Sequence, residues 1–209
     1  MSGKLLQLFP MENRDFWKQV AGMEREIQEI RLRAAKPVIV LMKGREWYLD
    51  QDGRFTDKQE LACRISEDEL EGILQHICHY SLYAFEDELR QGFITVRGGH
   101  RVGVAGQVVL EADGGVRTIK HISYMNIRVA HEVKGAADKL LPFVYVAGHL
   151  KNVLIISPPG CGKTTLLRDL IRQISDGNPY GAGLGVGVVD ERSEIAGSFM
   201  GCPQNDVGI

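Results

Sequence analysis

The chain has 209 residues, of which 44% are hydrophobic and 25% are charged, so it allows one large or two small packed domains and excludes global disorder. The 25 Lys and Arg against 27 Asp and Glu give a net charge of -2, which argues against a strongly basic nucleic-acid binder. No apolar run of the about 18 residues that a membrane-spanning helix needs occurs, and the start "MSGKLLQLF" lacks the features of a signal peptide. The four cysteines form no C-x-x-C pair, which fits a reducing cytoplasm.

The first part of the chain carries short helical and strand patterns. The stretch "DFWKQVAGM" predicts a helix within 13–23, and Ser66 followed by Glu69 predicts a second helix that begins with a capping box. A third helix is expected around 83–90. Strand patterns occupy the other apolar stretches, which are "EIRLR", "PVIVLM", "EWYL", "FITVR", "HRVGVAGQVVL", "GVRTIKHISY" and "MNIRVA". These patterns predict a mixed α+β domain over residues 1–135.

A connector over 136–151 and a glycine-rich loop region over 152–209 follow. In the connector, "AADKLLPFVYV" is expected to start as a helix and to be interrupted at Pro142. The apolar run 153–156 is typical of a buried parallel strand, and "SPPGCGKT" and an amphipathic helix come directly after it. Strand, glycine loop and helix in this order are the context of a G-x-x-x-x-G-K-[ST] phosphate loop. The fold class predicted for this region is therefore an α/β P-loop NTPase domain.

Each position of the loop has an expected part in binding ATP and Mg²⁺. Gly160 and Gly162 let the backbone curl so that its N–H groups point at phosphate oxygens. Lys163 is expected to reach the β- and γ-phosphates, and the Thr164 hydroxyl is expected to hold Mg²⁺. Ser157 replaces the first glycine of the pattern, a departure of small expected effect because that position makes the least direct phosphate contact. The predicted nucleotide-binding residues are Ser157, Pro158, Pro159, Gly160, Cys161, Gly162, Lys163, Thr164 and Thr165.

A second apolar run, "GVGVV" at 185–189, predicts another core strand that ends at Asp190. Acidic residues at the carboxyl end of a parallel strand face the ligand crevice. A carboxylate there is able to orient the attacking water or to hold Mg²⁺ through a water molecule, and the second role is predicted for Asp190. A solvated loop with surface charges is the alternative interpretation.

Four stretches of the sequence resemble the stage III sporulation protein AA family. The members of this family are bacterial sporulation ATPases related to the type II and type IV secretion ATPases. The four stretches are "EIRLRAAKPVIV", "HRVGVAGQVV", "SPPGCGKTTLLRDLIRQIS" and "VVDERSEIAGSFMGCPQNDVG". The resemblance covers about residues 27–209 and implies a RecA-like motor behind an N-terminal α+β domain. It also implies a homo-hexamer in the full-length form, cytoplasmic and at the inner face of a membrane, with membrane channel proteins of the sporulation apparatus as partners. No direct contact with nucleic acid is expected.

The resemblance also suggests which side chains act in hydrolysis. By position, "DERSE" is similar to the acidic box of the secretion ATPases, which carries a water-activating glutamate. Glu191 is the first choice for that role, and Asp190 and Glu194 are the alternatives.

In such rings, arginines of the N-terminal domain often contact the nucleotide of a neighbouring subunit. The candidates here are Arg97, Arg101 and Arg128, with solvated arginines on a strand face as the alternative for each.

Two other functions stay open at this point. One is a nucleotide-binding switch or scaffold with little hydrolysis, and the other is a RecA-like ATPase that handles nucleic acid. The part of the chain after residue 152 is also far shorter than the about 150 residues that an α/β nucleotide-binding domain usually needs. We therefore expect a domain that is incomplete at its C-terminus, with weak nucleotide binding and little turnover in this chain.

Overall fold

The computed structural model describes residues 3–209. The chain falls into two units, and the division lies between Ala130 and His131. Helices and strands occur in both units, which confirms the mixed α/β character expected from the sequence. The predicted domain limits, with a connector over 136–151, stay a prediction. Within residues 3–209, no helix combines the length and the apolar character that crossing a bilayer requires.

The three helices predicted for the first unit are present. Helix α1 spans Arg14–Gly22, α2 spans Glu67–Ile77, and α3 spans Glu86–Arg90 after one turn of 3-10 helix. The capping box at the start of α2 is complete: the Glu69 N–H donates to Ser66 Oγ at 3.1 Å, and the Ser66 N–H donates to the Glu69 carboxylate at 2.8 Å. Two otherwise unpaired donors at the helix start are thereby satisfied.

Seven strands form one sheet in the first unit. They are β1 (Ile27–Arg33), β2 (Ile39–Met42), β3 (Arg45–Leu49), β4 (Phe55–Thr56), β5 (Phe93–Thr95), β6 (Arg101–Leu110) and β7 (Val116–Arg128). Their order is β4-β3-β2-β1-β7-β6-β5, and every neighbouring pair is antiparallel. The two strands predicted from "GVRTIKHISY" and "MNIRVA" form the single strand β7.

Side chains alternate between a buried and a polar face of this sheet. On β1, Ile30 and Leu32 are fully buried, and Arg31 and Arg33 lie between and beyond them on the other face. The register continues this division across the sheet, because Ile30 is opposite Ile127 of β7. Successive side chains of a strand point to opposite faces, so the apolar face packs the core and the other face carries charge.

The second unit is organised around one amphipathic helix, α5, which spans Lys163–Asp176. It is preceded by the short helix α4 (Leu141–Val144) and by a hairpin of β8 (Tyr145–Val146) and β9 (His149–Leu150). The buried core of the unit consists of Ala137, Leu141, Val144, Tyr145, Leu170 and Ile174. The helix predicted after the glycine loop is confirmed, and it ends before Gly177, where φ is +90°.

Both strands predicted for the second unit are wrong. Residues 153–156 form no strand, and Leu154 and Ile156 are 83% and 82% exposed. Residues 185–189 form no strand either, and Val189 is 95% exposed. A strand is stable only when a neighbour pairs its N–H and C=O groups. Within residues 3–209, neither run is paired with another strand, so each apolar sequence stays irregular.

The helix expected at the start of the connector is also misplaced. Residues 136–140 form turns, and α4 begins only at Leu141, with Pro142 in its first turn. The first N–H groups of a helix have no partner within the helix, so a proline is tolerated there. Pro142 therefore lies in the first turn of α4 and does not interrupt a helix.

Candidate functional site

The glycine loop leads directly into α5. Gly160 and Gly162 have φ of +77° and +80°, a backbone conformation that residues with a Cβ rarely adopt. A Cβ added at either glycine would meet nothing within 4 Å, so backbone conformation and not crowding requires glycine there. The open space beside both glycines also leaves the loop backbone accessible to a ligand. Both glycines therefore have the curled backbone expected from the sequence, and phosphate binding by the loop stays a prediction.

The Lys163 ammonium group lies against the curve of this loop. Lys163 Nζ donates to the Ser157 carbonyl at 2.7 Å and to the Pro158 carbonyl at 3.0 Å, and it lies 3.4 Å from Ser157 Oγ. Ser157, where the pattern has its first glycine, thus offers both a carbonyl and a hydroxyl to the cation. An ammonium held by neutral carbonyls at a helix N-terminus forms a positive centre suited to an anion.

The remaining predicted loop residues line the same region. Thr164 and Thr165 are half-buried in the first turn of α5, and Cys161 is exposed with its Sγ 3.9 Å from the Pro159 carbonyl. The residue types fit a nucleotide with Mg²⁺, because a hydroxyl-bearing residue of the first turn directly follows the Lys163 cation. The role of Thr164 as a Mg²⁺ ligand stays a prediction.

Asp190 organises the acidic segment 190–196 from within. One carboxylate oxygen accepts the N–H of Glu194 at 2.8 Å, and the other accepts those of Ile195 and Ala196 at 3.0 and 2.9 Å. Three donors converge on this one side chain, so it closes the segment into a compact turn. The water-mediated Mg²⁺ contact predicted for Asp190 stays a prediction, and the structure adds a structural role. Glu191 and Glu194 lie exposed on the same segment.

Two charged residues of α5 that the sequence reasoning did not single out are buried. Arg168 is 9% exposed and donates from Nε to the Ile195 carbonyl at 2.5 Å, from Nη2 to the Glu194 carbonyl at 2.7 Å and from Nη1 to the His131 carbonyl at 3.4 Å. It therefore binds the acidic segment that Asp190 organises. The signal that would have found it is a charged residue inside the apolar pattern "TLLRDLIRQI".

Asp169 is the second buried charge, and it anchors the other side of α5. Its carboxylate accepts the Ala137 N–H at 2.9 Å, Gln173 Nε2 at 2.9 Å and Arg172 Nη2 at 2.8 Å. Burial raises the pKa of Asp169, but these hydrogen bonds outweigh it and hold that pKa below its ordinary value. The helix that follows the glycine loop is thus fixed to the segment before α4.

The three candidate arginines lie at one end of the polar sheet face and beside it. Arg101 and Arg128 are directly opposite each other on β6 and β7, and Arg97 lies exposed in the turn before β6. The Arg101 guanidinium lies 4.0 Å from the centroid of the Phe93 ring, and Arg128 Nε is 4.0 Å from the Glu29 carboxylate. Like charges directly opposite each other destabilise a sheet, and the Glu29 carboxylate, which is opposite Arg128 on β1, offsets part of that repulsion.

Comparisons with known proteins agree with the sequence pattern. A family profile for sporulation stage III, protein AA, matches residues 3–209. Stage III sporulation protein AA of Bacillus subtilis (strain 168) is 44% identical over 183 residues, which are 88% of this chain and 55% of that protein. The chain therefore spans about half the length of this curated relative. Among solved structures, the Legionella pneumophila ATPase DotB matches with 16% identity and a TM-score of 0.45, over 82% of this chain and 45% of DotB.

Proposed function

Because the chain belongs to the sporulation stage III protein AA family, we propose that it carries the ATP-binding loop of a secretion-type ATPase motor that acts in sporulation. The observation that supports this best is the curled loop 157–162, whose carbonyls hold the Lys163 ammonium at the start of α5. The chain spans 55% of its curated relative, so ATP turnover is proposed for the full-length protein.

Each residue of the proposed site has a separate role in the chemistry. The N–H groups of the loop around Gly160 and Gly162 bind phosphate oxygens, and Lys163 neutralises their charge. Bound Mg²⁺ supplies further neutralisation of the phosphate charge, and Thr164 is the residue proposed to hold it. Glu191 is proposed to orient the attacking water and to accept its proton, because its carboxylate is exposed on the segment that Asp190 shapes.

Titration of this chain with a fluorescent ATP analogue tests the binding step. We expect weak saturable binding that strengthens when MgCl₂ is added, because the loop residues offer a place for both groups. The fluorescence change is measured with and without excess unlabelled ATP, which must displace the analogue. Binding that is not saturable, or that unlabelled ATP does not reduce, would contradict the proposal.

We further propose that the full-length protein is a cytoplasmic homo-hexamer at a membrane, working with channel proteins of the sporulation apparatus. In it, one of Arg97, Arg101 and Arg128 would contact the nucleotide of a neighbouring subunit, and two of these candidates, Arg101 and Arg128, lie directly opposite each other on β6 and β7. The net charge of -2 supports the absence of direct nucleic-acid binding.

Alanine variants of the arginines in the full-length protein test this contact. We expect Arg101→Ala, Arg128→Ala or Arg97→Ala to lower the ATPase rate by at least about 10-fold, since an arginine supplied to a phosphoryl-transfer site is worth that much or more. Arg54→Ala on the far edge of the sheet is the control, and light scattering verifies that the assembly persists. Unchanged rates in all three variants would refute a role in trans.

A further inference from the structure

Arg168 is a buried cation whose three hydrogen bonds all go to backbone carbonyls. Burial lowers the pKa of Arg168, and the negative charges of Glu132 and Asp190 act in the opposite direction. Removing a guanidinium from water is unfavourable unless its donors are satisfied. An apolar side chain would fill the same space without that penalty, so packing alone does not explain an arginine here.

The position of Arg168 on α5 links two parts of the proposed site. It lies four residues after Thr164, so both side chains are on the same side of the helix and one turn apart. Thr164 is in the turn that follows the phosphate loop. Because Thr164 and Arg168 belong to one continuous helix, a shift of the first turn would also move the guanidinium of Arg168.

The guanidinium of Arg168 binds the segment 190–196, which has hydrogen bonds of its own. The N–H groups of Glu194, Ile195 and Ala196 are bound by Asp190, while the carbonyls of Glu194 and Ile195 are bound by Arg168. Asp190 therefore sets the shape of the segment, and Arg168 sets its place relative to α5. The side chain of Glu191 is exposed on this segment.

We propose that Arg168 is a positioning residue that couples occupancy of the phosphate loop to the placement of the acidic segment 190–196. This coupling rests on the proposed function, because it needs a nucleotide at the loop. Phosphate binding at Lys163 displaces the first turn of α5. Arg168 moves with the helix and shifts the carbonyls of Glu194 and Ile195, to which it is hydrogen-bonded. Binding at the loop and the position of the water-activating carboxylate are thereby linked.

Hydrogen–deuterium exchange of this chain, with and without Mg²⁺ and a non-hydrolysable ATP analogue, tests the coupling. In the wild type we expect the analogue to slow exchange in a peptide covering 190–198. Arg168→Gln should lose this nucleotide-dependent difference while it still binds the analogue with near wild-type affinity. Arg168→Lys, which keeps the charge but has one donor nitrogen in place of three, should keep part of this difference. The matched control is Arg172→Gln on the same helix, which should respond like the wild type.

The possible outcomes separate this proposal from the proposed function. If Arg168→Gln keeps the full nucleotide-dependent difference, Arg168 only tethers the segment and the coupling is refuted. Wild-type binding without any change in the segment also refutes the coupling, but leaves the proposed function intact. A wild-type chain that does not bind the analogue refutes the proposed function and the coupling with it. Circular dichroism identifies a variant that fails to fold, in which case Arg168→Lys decides by the same measurement.

Discussion

Lys163→Ala is expected to weaken binding of the ATP analogue by about 10- to 100-fold, because a charge-assisted hydrogen bond contributes about 1.5–3 kcal/mol and each 1.4 kcal/mol is a factor of ten. In the structure the Lys163 ammonium is held by the carbonyls of Ser157 and Pro158 at the inner side of the loop. Alanine removes the only positively charged side chain of residues 157–165. The dissociation constant of the fluorescent analogue, measured with MgCl₂ present, gives the size of the effect.

The control for this variant is Lys139→Ala, because Lys139 is an exposed lysine of the same unit. It removes the same charge from the chain and should leave the dissociation constant unchanged. The thermal unfolding midpoint of Lys163→Ala should stay close to that of the wild type, since the bonds of Lys163 go to an exposed loop. Equal weakening by both lysine variants would show that the chain binds ATP only through its overall charge, and would refute the loop as the binding site.

Local sequence signals predicted most of the first unit correctly. The capping box at Ser66 and the alternation of Ile30 and Leu32 with arginines depend on residues close together in the chain. The predicted helix after the loop is also present as α5, because its apolar spacing and the glycine at its end act locally. Such signals are sufficient where one element carries the information for its own conformation.

The predictions failed where an element depends on a neighbour. The runs 153–156 and 185–189 have the composition of core strands, yet composition does not supply the hydrogen-bonding partner that a strand needs. The predicted loop residues come together around Lys163, since they are consecutive in sequence. The contacts of Arg168 with Glu194 and Ile195 span 26 and 27 positions of the chain, and no local pattern identifies such partners.

Substitutions in the acidic segment should separate its structural carboxylate, Asp190, from Glu191, the carboxylate proposed to be catalytic. In the full-length protein, Glu191→Gln is expected to lower the ATPase rate by about 100-fold or more, the range that general acid–base groups contribute. Its fold and nucleotide affinity should not change, because Glu191 is exposed. Glu194→Gln, at an exposed glutamate of the same segment, is the matched control and should retain most of the activity.

Asp190→Asn is expected to act differently, through the shape of the segment. An amide offers one oxygen where the carboxylate offers two, so the N–H groups of Glu194, Ile195 and Ala196 cannot all stay bound. Losing acceptors for donors that are partly buried should destabilise the second unit by about 1–3 kcal/mol. Thermal unfolding and hydrogen exchange of 190–198 measure that loss, whereas Glu191→Gln should change neither. If Asp190→Asn instead leaves stability and exchange unaltered and abolishes only turnover, Asp190 is the catalytic carboxylate and the assignment of Glu191 is wrong.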